Sequence, residues 1–407
     1  MTRAPAVEPR AWPYPAVGAV CGLTWATALR GWMEQLAIGS GTGSTFTWLT
    51  VALLVLPATL VGLLLGRAAQ HRAYGTRAPR AFIWAPALLT TAIADPSIFP
   101  ALMTTGEGGG ALIVVITALC GGFTLSRRRW TMVRGLIAVI ATLGLLLLTA
   151  IGSMAVPLQT ARGAWVCLLG FSLVLLLSFA AVLPYPPVHA PLSLGWYVAL
   201  GGLAGFTWAA ALRAVMADLA GTDSVVHAAD TFGYLLVPGT VAGALLGWAE
   251  YLRRSGDHPR RVLLALAPLT LWAVLLRNLV VRPDQGVDLT PLLVALLAVA
   301  GAWAISGRGP RWTRLVSGLV FAVGIFPWIP ATGGAGPDFA LTNPHGLWAY
   351  VAVAGMITLL AVATSAPLRA SLQTISPRAE TFAVPARPAL TSRPTPDRRR
   401  ADTRPAS

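Results

Sequence analysis

Apolar stretches of roughly 20 residues, the length a helix needs to cross a bilayer at about 1.5 Å per residue, alternate along this chain with short polar breaks. They run over Pro15–Leu36, Phe46–Gly66, Ala81–Met103, Gly110–Leu125, Val133–Met154 and Ala164–Leu183. They then run over Trp196–Leu219, Thr231–Trp248, Val262–Val281, Leu289–Ile305, Leu315–Ile329 and Leu347–Thr364. The pattern predicts an all-α integral membrane protein of about 12 transmembrane helices. The run around Pro327 and Pro330 is the shortest, and its partner in the first half supports it.

The second six stretches repeat the first six. Gly22-Leu23-Thr24-Trp25-Ala26-Thr27-Ala28-Leu29-Arg30 returns as Gly205-Phe206-Thr207-Trp208-Ala209-Ala210-Ala211-Leu212-Arg213. Pro57, Gly62 and Gly66 return as Pro238, Gly243 and Gly247, Pro86 as Pro268, and Gly163 and Trp165 as Gly346 and Trp348, at offsets of 181 to 183 residues. This predicts duplication of a whole unit: a first six-helix repeat over 1–188, a second over 189–368, and a seam at Pro184-Tyr185-Pro186-Pro187. An even number of spans per unit makes the two repeats parallel, related by an axis along the membrane normal. The Arg- and Pro-rich residues 369–407 are predicted to be a disordered cytoplasmic tail.

Composition sharpens this picture without changing it. With 56% hydrophobic and 11% charged residues, the chain has too little polar surface for a soluble globule of 407 residues. Its net charge of +15 is not a nucleic-acid signal, because the arginines sit in short loops and the tail, where a membrane protein needs them. Arg67, Arg72, Arg77 and Arg80 follow the second stretch, and Arg127, Arg128, Arg129 and Arg134 lie between the fourth and fifth. Arg253, Arg254, Arg260 and Arg261, then Arg308, Arg311 and Arg314, repeat the arrangement. Those loops are expected to be cytoplasmic, with both termini, in a plasma (inner) membrane protein whose surroundings are membrane lipids. Glu34, Glu107, Asp218, Asp223, Asp284, Asp288 and Asp338 fall at the opposite side. Arg3 and Arg10 ahead of an apolar run resemble a signal peptide, but that run is itself duplicated, so it is read as the first transmembrane helix.

No zinc helix, serine-protease elbow or nucleotide loop is present, and Cys21, Cys120 and Cys167 lack metal-ligand spacing. No catalytic, cofactor-binding or metal-binding residue is therefore expected. His227-Ala228-Ala229-Asp230 reads as a helix start capped by Asp230. The informative residues are the charges inside the stretches, which are costly in a bilayer and usually retained for a reason. Arg30, Asp95, Arg213 and Arg277 lie at similar depth and are the candidate ligand-binding residues. Arg30 and Asp95 are expected to form a buried ion pair. Arg213 and Arg277 would oppose each other as like charges unless Asp218 or Asp230 reaches in. The net positive layer suits a small anionic or lipid-like solute carried by a secondary transporter. The competing expectation is a non-catalytic scaffold or partner subunit, in which the arginines only fix packing.

Two parallel six-helix halves with arginine-rich inner loops resemble the major facilitator superfamily in architecture, which implies transport through a cleft between the halves. The loop motif departs from that family. Where it has Gly-x-x-x-Asp-Arg-x-Gly-Arg, this chain has Gly66-Arg67-Ala68-Ala69-Gln70-His71-Arg72, with no Asp and with its glycine displaced to Gly75. Trp25-Ala26-Thr27-Ala28-Leu29-Arg30-Gly31-Trp32-Met33, followed by Phe46-Thr47-Trp48, is similar to a stretch of uncharacterised polytopic membrane proteins of high-GC actinobacteria. That likeness covers the first two spans and implies no function.

Overall fold

The computed structural model describes residues 12–41, 45–96, 109–126, 131–186, 193–221, 224–256, 259–281, 289–328 and 337–370, and no strand occurs among them. Helices occupy the predicted apolar stretches. In chain order they are α1 (Tyr14–Ser40), α2 (Trp48–Ala73), α3 (Arg80–Ala94), α4 (Gly109–Leu125), α5 (Met132–Ala155) and α6 (Ala161–Ala180). There follow α7 (Leu194–Ala220), α8 (Ala229–Ser255), α9 (Pro259–Leu271, continued by Trp272–Val281), α10 (Thr290–Ser306), α11 (Arg311–Ile325) and α12 (Pro344–Thr364). Local chemistry sets several ends. Gly41 at φ 71° closes α1 in the left-handed region that glycine enters without strain. Thr131 and Thr160 cap α5 and α6 by accepting from the backbone N–H of Arg134 and Gly163.

Seven helical segments among the described residues are long and apolar enough to cross a membrane: Trp48–Ala73, Met132–Ala155, Ala161–Ala180, Leu194–Ala220, Ala229–Ser255, Pro259–Arg277 and Pro344–Leu368. Arg80–Ala94, Gly109–Leu125 and Thr290–Ser306 are shorter apolar helices. α1 has the length, but Arg30, Glu34 and Gln35 dilute its apolar character. α3 and the first part of α9 are 3-10 helices, each with a proline inside, Pro86 and Pro268. Proline removes the donor of an i→i−4 bond and disfavours α geometry before it. At about 2.0 Å per residue, the 15 residues of α3 extend roughly 30 Å, about the thickness of a hydrocarbon core. α8 begins with a π-helical stretch, Ala229–Leu236, and α2 carries one at Val51–Val55, after its first turn.

α1, α6, α7 and α12 form the centre, and α5 and α11 the margin, where α11 has no buried residue. α1 crosses α2 with backbones nearly touching: a Cβ at Gly62 would collide with the Gly18 carbonyl oxygen, and one at Gly18 with the Gly62 carbonyl oxygen. α7 and α8 cross the same way through Gly201 and Gly243. Small residues permit this approach where lipid removes any hydrophobic drive between helices.

Five buried or half-buried tryptophans tie the centre together through their indole N–H groups. Trp25 donates to Leu173 O and Trp208 to Met356 O, both at 2.9 Å and both across 148 residues. Trp32 donates to Val166 O at 2.9 Å. Trp165 on α6 donates to Ala210 O on α7, and Trp348 on α12 donates to Thr27 O on α1, both at 3.0 Å. The predicted tail, apart from Arg369 and Ala370, and the predicted rim acids Glu107, Asp223, Asp284 and Asp288 lie outside the described residues.

Candidate functional site

A cleft of about 610 Å³ opens among α1, α2, α6, α7, α8 and α12, at the ends of those helices nearest the arginine-rich loops. Its volume lies within the range of ordinary small-molecule sites. The wall is apolar and glycine-rich, contributed by the two sides in matched positions such as Trp25 and Trp208 or Leu177 and Leu360. Cys21, an exposed thiol, faces this space. Charge appears at the mouth through Glu250 and Arg369. Glu250 binds Arg253 with both carboxylate oxygens, at 2.7 and 2.6 Å, and Arg254 at 2.7 Å. The Arg369 guanidinium lies 3.9 Å from the Trp12 ring centre. Burial lowers the Arg369 pKa to about 10, still far above neutrality, so the mouth keeps its positive charge. Its walls have the chemistry to receive an apolar body, and its mouth a polar end.

The cleft stops short of the predicted charged layer. It reaches Ala28 and Ala211, and beyond them the buried Trp165 and Trp348 close the seam. None of Arg30, Asp95, Arg213 and Arg277 lines it.

On the far side of the seam, the expected Arg30–Asp95 pair is replaced by another. Arg30, only 4% exposed, pairs with Glu34 at 3.0 Å, because a residue four positions on lies directly above it on the same helix face. Arg30 also donates to Thr45 O at 3.2 Å, and its guanidinium sits 3.7 Å above the Phe46 ring. Phe46 stacks on His345 at 4.0 Å with planes 8° apart, and His345 Nε2 meets the buried Asp218 carboxylate at 2.7 Å. Asp95 instead closes α3, half-buried and in extended conformation.

Arg213 and Arg277 do not oppose each other unrelieved. Asp230 does reach in, from the first turn of α8, and pairs with Arg277. It makes no capping bond there, contrary to the expected helix cap. Asp218 is taken by His345 and does not serve Arg213. Arg213 donates to Val225 O at 3.0 Å and to Ser224 Oγ at 3.4 Å, and lies 5.5 Å from the Trp165 ring centre. Arg162 donates to Gln35 Oε1 at 2.9 Å across α6 and α1.

Glu34 as a partner, Gln35, Arg162 and His345 are not among the identical residues that reveal the duplication. Their signal lies in the differences. At an offset of 183, Glu34 matches Ala217, Gln35 matches Asp218, and Arg162 matches His345. Among the described residues, no three His, Cys, Asp or Glu gather to hold a metal.

No family model, curated protein or solved structure matches the chain. Function therefore has to be read from the geometry.

Proposed function

We propose that this membrane protein is a secondary transporter of a lipid-like solute with a polar head, and that the cleft holds the solute's apolar body. The cleft itself is the observation that carries this reading: it is apolar along its walls, charged at its mouth and sealed at its far end by Trp165 and Trp348. A chamber open to one face and closed to the other is what alternating access requires. With no nucleotide motif in the chain, an ion gradient is the proposed driving force.

The reading includes 12 spans arranged as two parallel repeats. The reciprocal bonds Trp165 to Ala210 and Trp348 to Thr27 support it. Each donor lies 183 residues from the other, as does each acceptor, so each side gives the other the bond that it receives. A scaffold role is the second reading, favoured by the packed tryptophan seam between the cleft and the charged layer.

Occupancy of the cleft is tested at Cys21. Alkylation by N-ethylmaleimide is expected at Cys21 ahead of the buried Cys167, and long-chain fatty acids or phospholipids should slow it. Cys21→Trp should leave the protein folded while abolishing both lipid binding and gradient-driven uptake into proteoliposomes. Unchanged uptake in that variant would remove the cleft from the mechanism.

Orientation is tested in a background with all three cysteines replaced by alanine. Cysteines placed at Arg77 and Arg254 should resist an impermeant maleimide added to intact cells, whereas those at Leu158 and Val225 should react. The reverse pattern would invert the topology, and equal labelling of all four would break the span count.

A further inference from the structure

The two central arginines occupy clusters built on the same plan and balanced differently. Around Arg30 stand Glu34 on its own helix, and Asp218 and His345 from the neighbouring α7 and α12, with Phe46 between. Two carboxylates there face one guanidinium and one imidazole. Around Arg213, the residue in the place of Glu34 is Ala217, the one in the place of Asp218 is Gln35, and the one in the place of His345 is Arg162. Arg213 donates to the Val225 carbonyl as Arg30 donates to that of Thr45, so the scaffold is retained while both carboxylates are lost.

The result, among the described residues, is two cations whose hydrogen-bond partners are neutral. Among the described residues neither Arg162 nor Arg213 has a carboxylate within ion-pair distance; their partners are Gln35 Oε1, Ser224 Oγ and Val225 O. Trp165, three residues on from Arg162 along α6, has the Arg213 guanidinium 5.5 Å from its ring centre, which brings the two charges into one neighbourhood. Two buried donors are also unused: Arg162 Nε and Gln35 Nε2, the latter on a side chain only 1% exposed. Burying a donor without an acceptor is costly, as is holding like charges together in a low dielectric. One group removes both costs: an oxyanion, which supplies negative charge and several acceptors and suits the planar fork of arginine. Arg162 also lies in the first turn of α6, where backbone N–H groups and the helix dipole favour negative charge.

We infer that Arg162, Arg213 and Gln35 form a binding site for an oxyanion, the carboxylate or phosphate of a free solute or of a lipid headgroup. None of the three lines the cleft, so the site stands whether or not the cleft carries a solute.

The experiment uses the full chain purified in a neutral detergent at low ionic strength. Inorganic phosphate and acetate, titrated separately, are expected to raise the thermal unfolding midpoint and to give saturable heats. Arg162→Gln or Arg213→Gln should weaken that binding by about tenfold or more, the effect of losing about 1.4 kcal/mol. The decisive variant is Gln35→Glu, isosteric with the native residue. It places a permanent carboxylate beside Arg162, so it should abolish anion binding while matching or exceeding the midpoint of the anion-free native protein. Native mass spectrometry separates the sources. Retention of phosphatidylglycerol over phosphatidylcholine, lost in Gln35→Glu, identifies a headgroup, whereas phosphate or acetate binding without lipid selectivity identifies a free solute. Either result supports the site. Anion binding that Gln35→Glu leaves intact, or no binding of phosphate, acetate or phosphatidylglycerol by the folded native protein, overturns it.

Discussion

Glu34→Gln should lower the unfolding free energy by roughly 3 kcal/mol, because it removes the carboxylate paired with the buried Arg30 and leaves Asp218, which His345 already engages. Few single changes away from a backbone crossing would cost more. Arg30 is 4% exposed and Glu34 9%, so water cannot replace the lost carboxylate. The Thr45 carbonyl and the Phe46 ring still hold the position of Arg30, and Asp218 stands beyond ion-pair distance with its carboxylate on His345. Unfolding by SDS titration in mixed micelles reads the loss directly. The double replacement Arg30→Met with Glu34→Met should recover most of it, since removing a buried pair together is often neutral whereas removing one member is not. Loss of under about 1 kcal/mol in Glu34→Gln would mean that the pair is effectively solvated. Asp95→Asn, by contrast, should leave Arg30 undisturbed.

Gly62→Leu and Gly243→Leu should each prevent accumulation of folded protein. A first side-chain carbon at either position already runs into the carbonyl of the facing glycine, Gly18 or Gly201, and a backbone atom cannot rotate away. The crossing must open along its length, and an overpacking cost beyond the usual range of about 1–3 kcal/mol follows. Gly135→Leu is the matched control. Gly135 sits on α5 with nothing within 4 Å of an added Cβ, so that variant should elute as a single species at native yield. If Gly62→Leu does the same, the glycine crossing is not what holds α1 to α2.

The helices were legible because a membrane helix is marked by composition over a long window, and bounds such as those of α4 and α10 agree to within a residue or two of the apolar runs. Helix geometry was not legible. Pro86 and Pro268 announce a break, yet nothing in their neighbours specifies that a 3-10 run replaces it. Arg30 was correctly singled out as a buried charge, and its partner was one turn away. Glu34 reads from the chain as one of the acids opposite the arginine loops, although its spacing from Arg30 gives the closer pairing. The telling charge differences between the copies, at Glu34, Gln35 and Arg162, become visible once α1, α6, α7 and α12 are seen to meet. The cleft has no signature in the chain, since it is made of the space that glycines and alanines leave empty.

The 3-10 geometry of α3 has a mechanical consequence. Rewinding its 15 residues to α-helix would shorten it from roughly 30 Å to roughly 22 Å. The same change over the 13 residues Pro259–Leu271 would retract that segment by about 6 Å. In the 3-10 form these 15 and 13 residues therefore reach as far as about 20 and 17 residues of α-helix would, so the chain crosses the same depth with fewer residues.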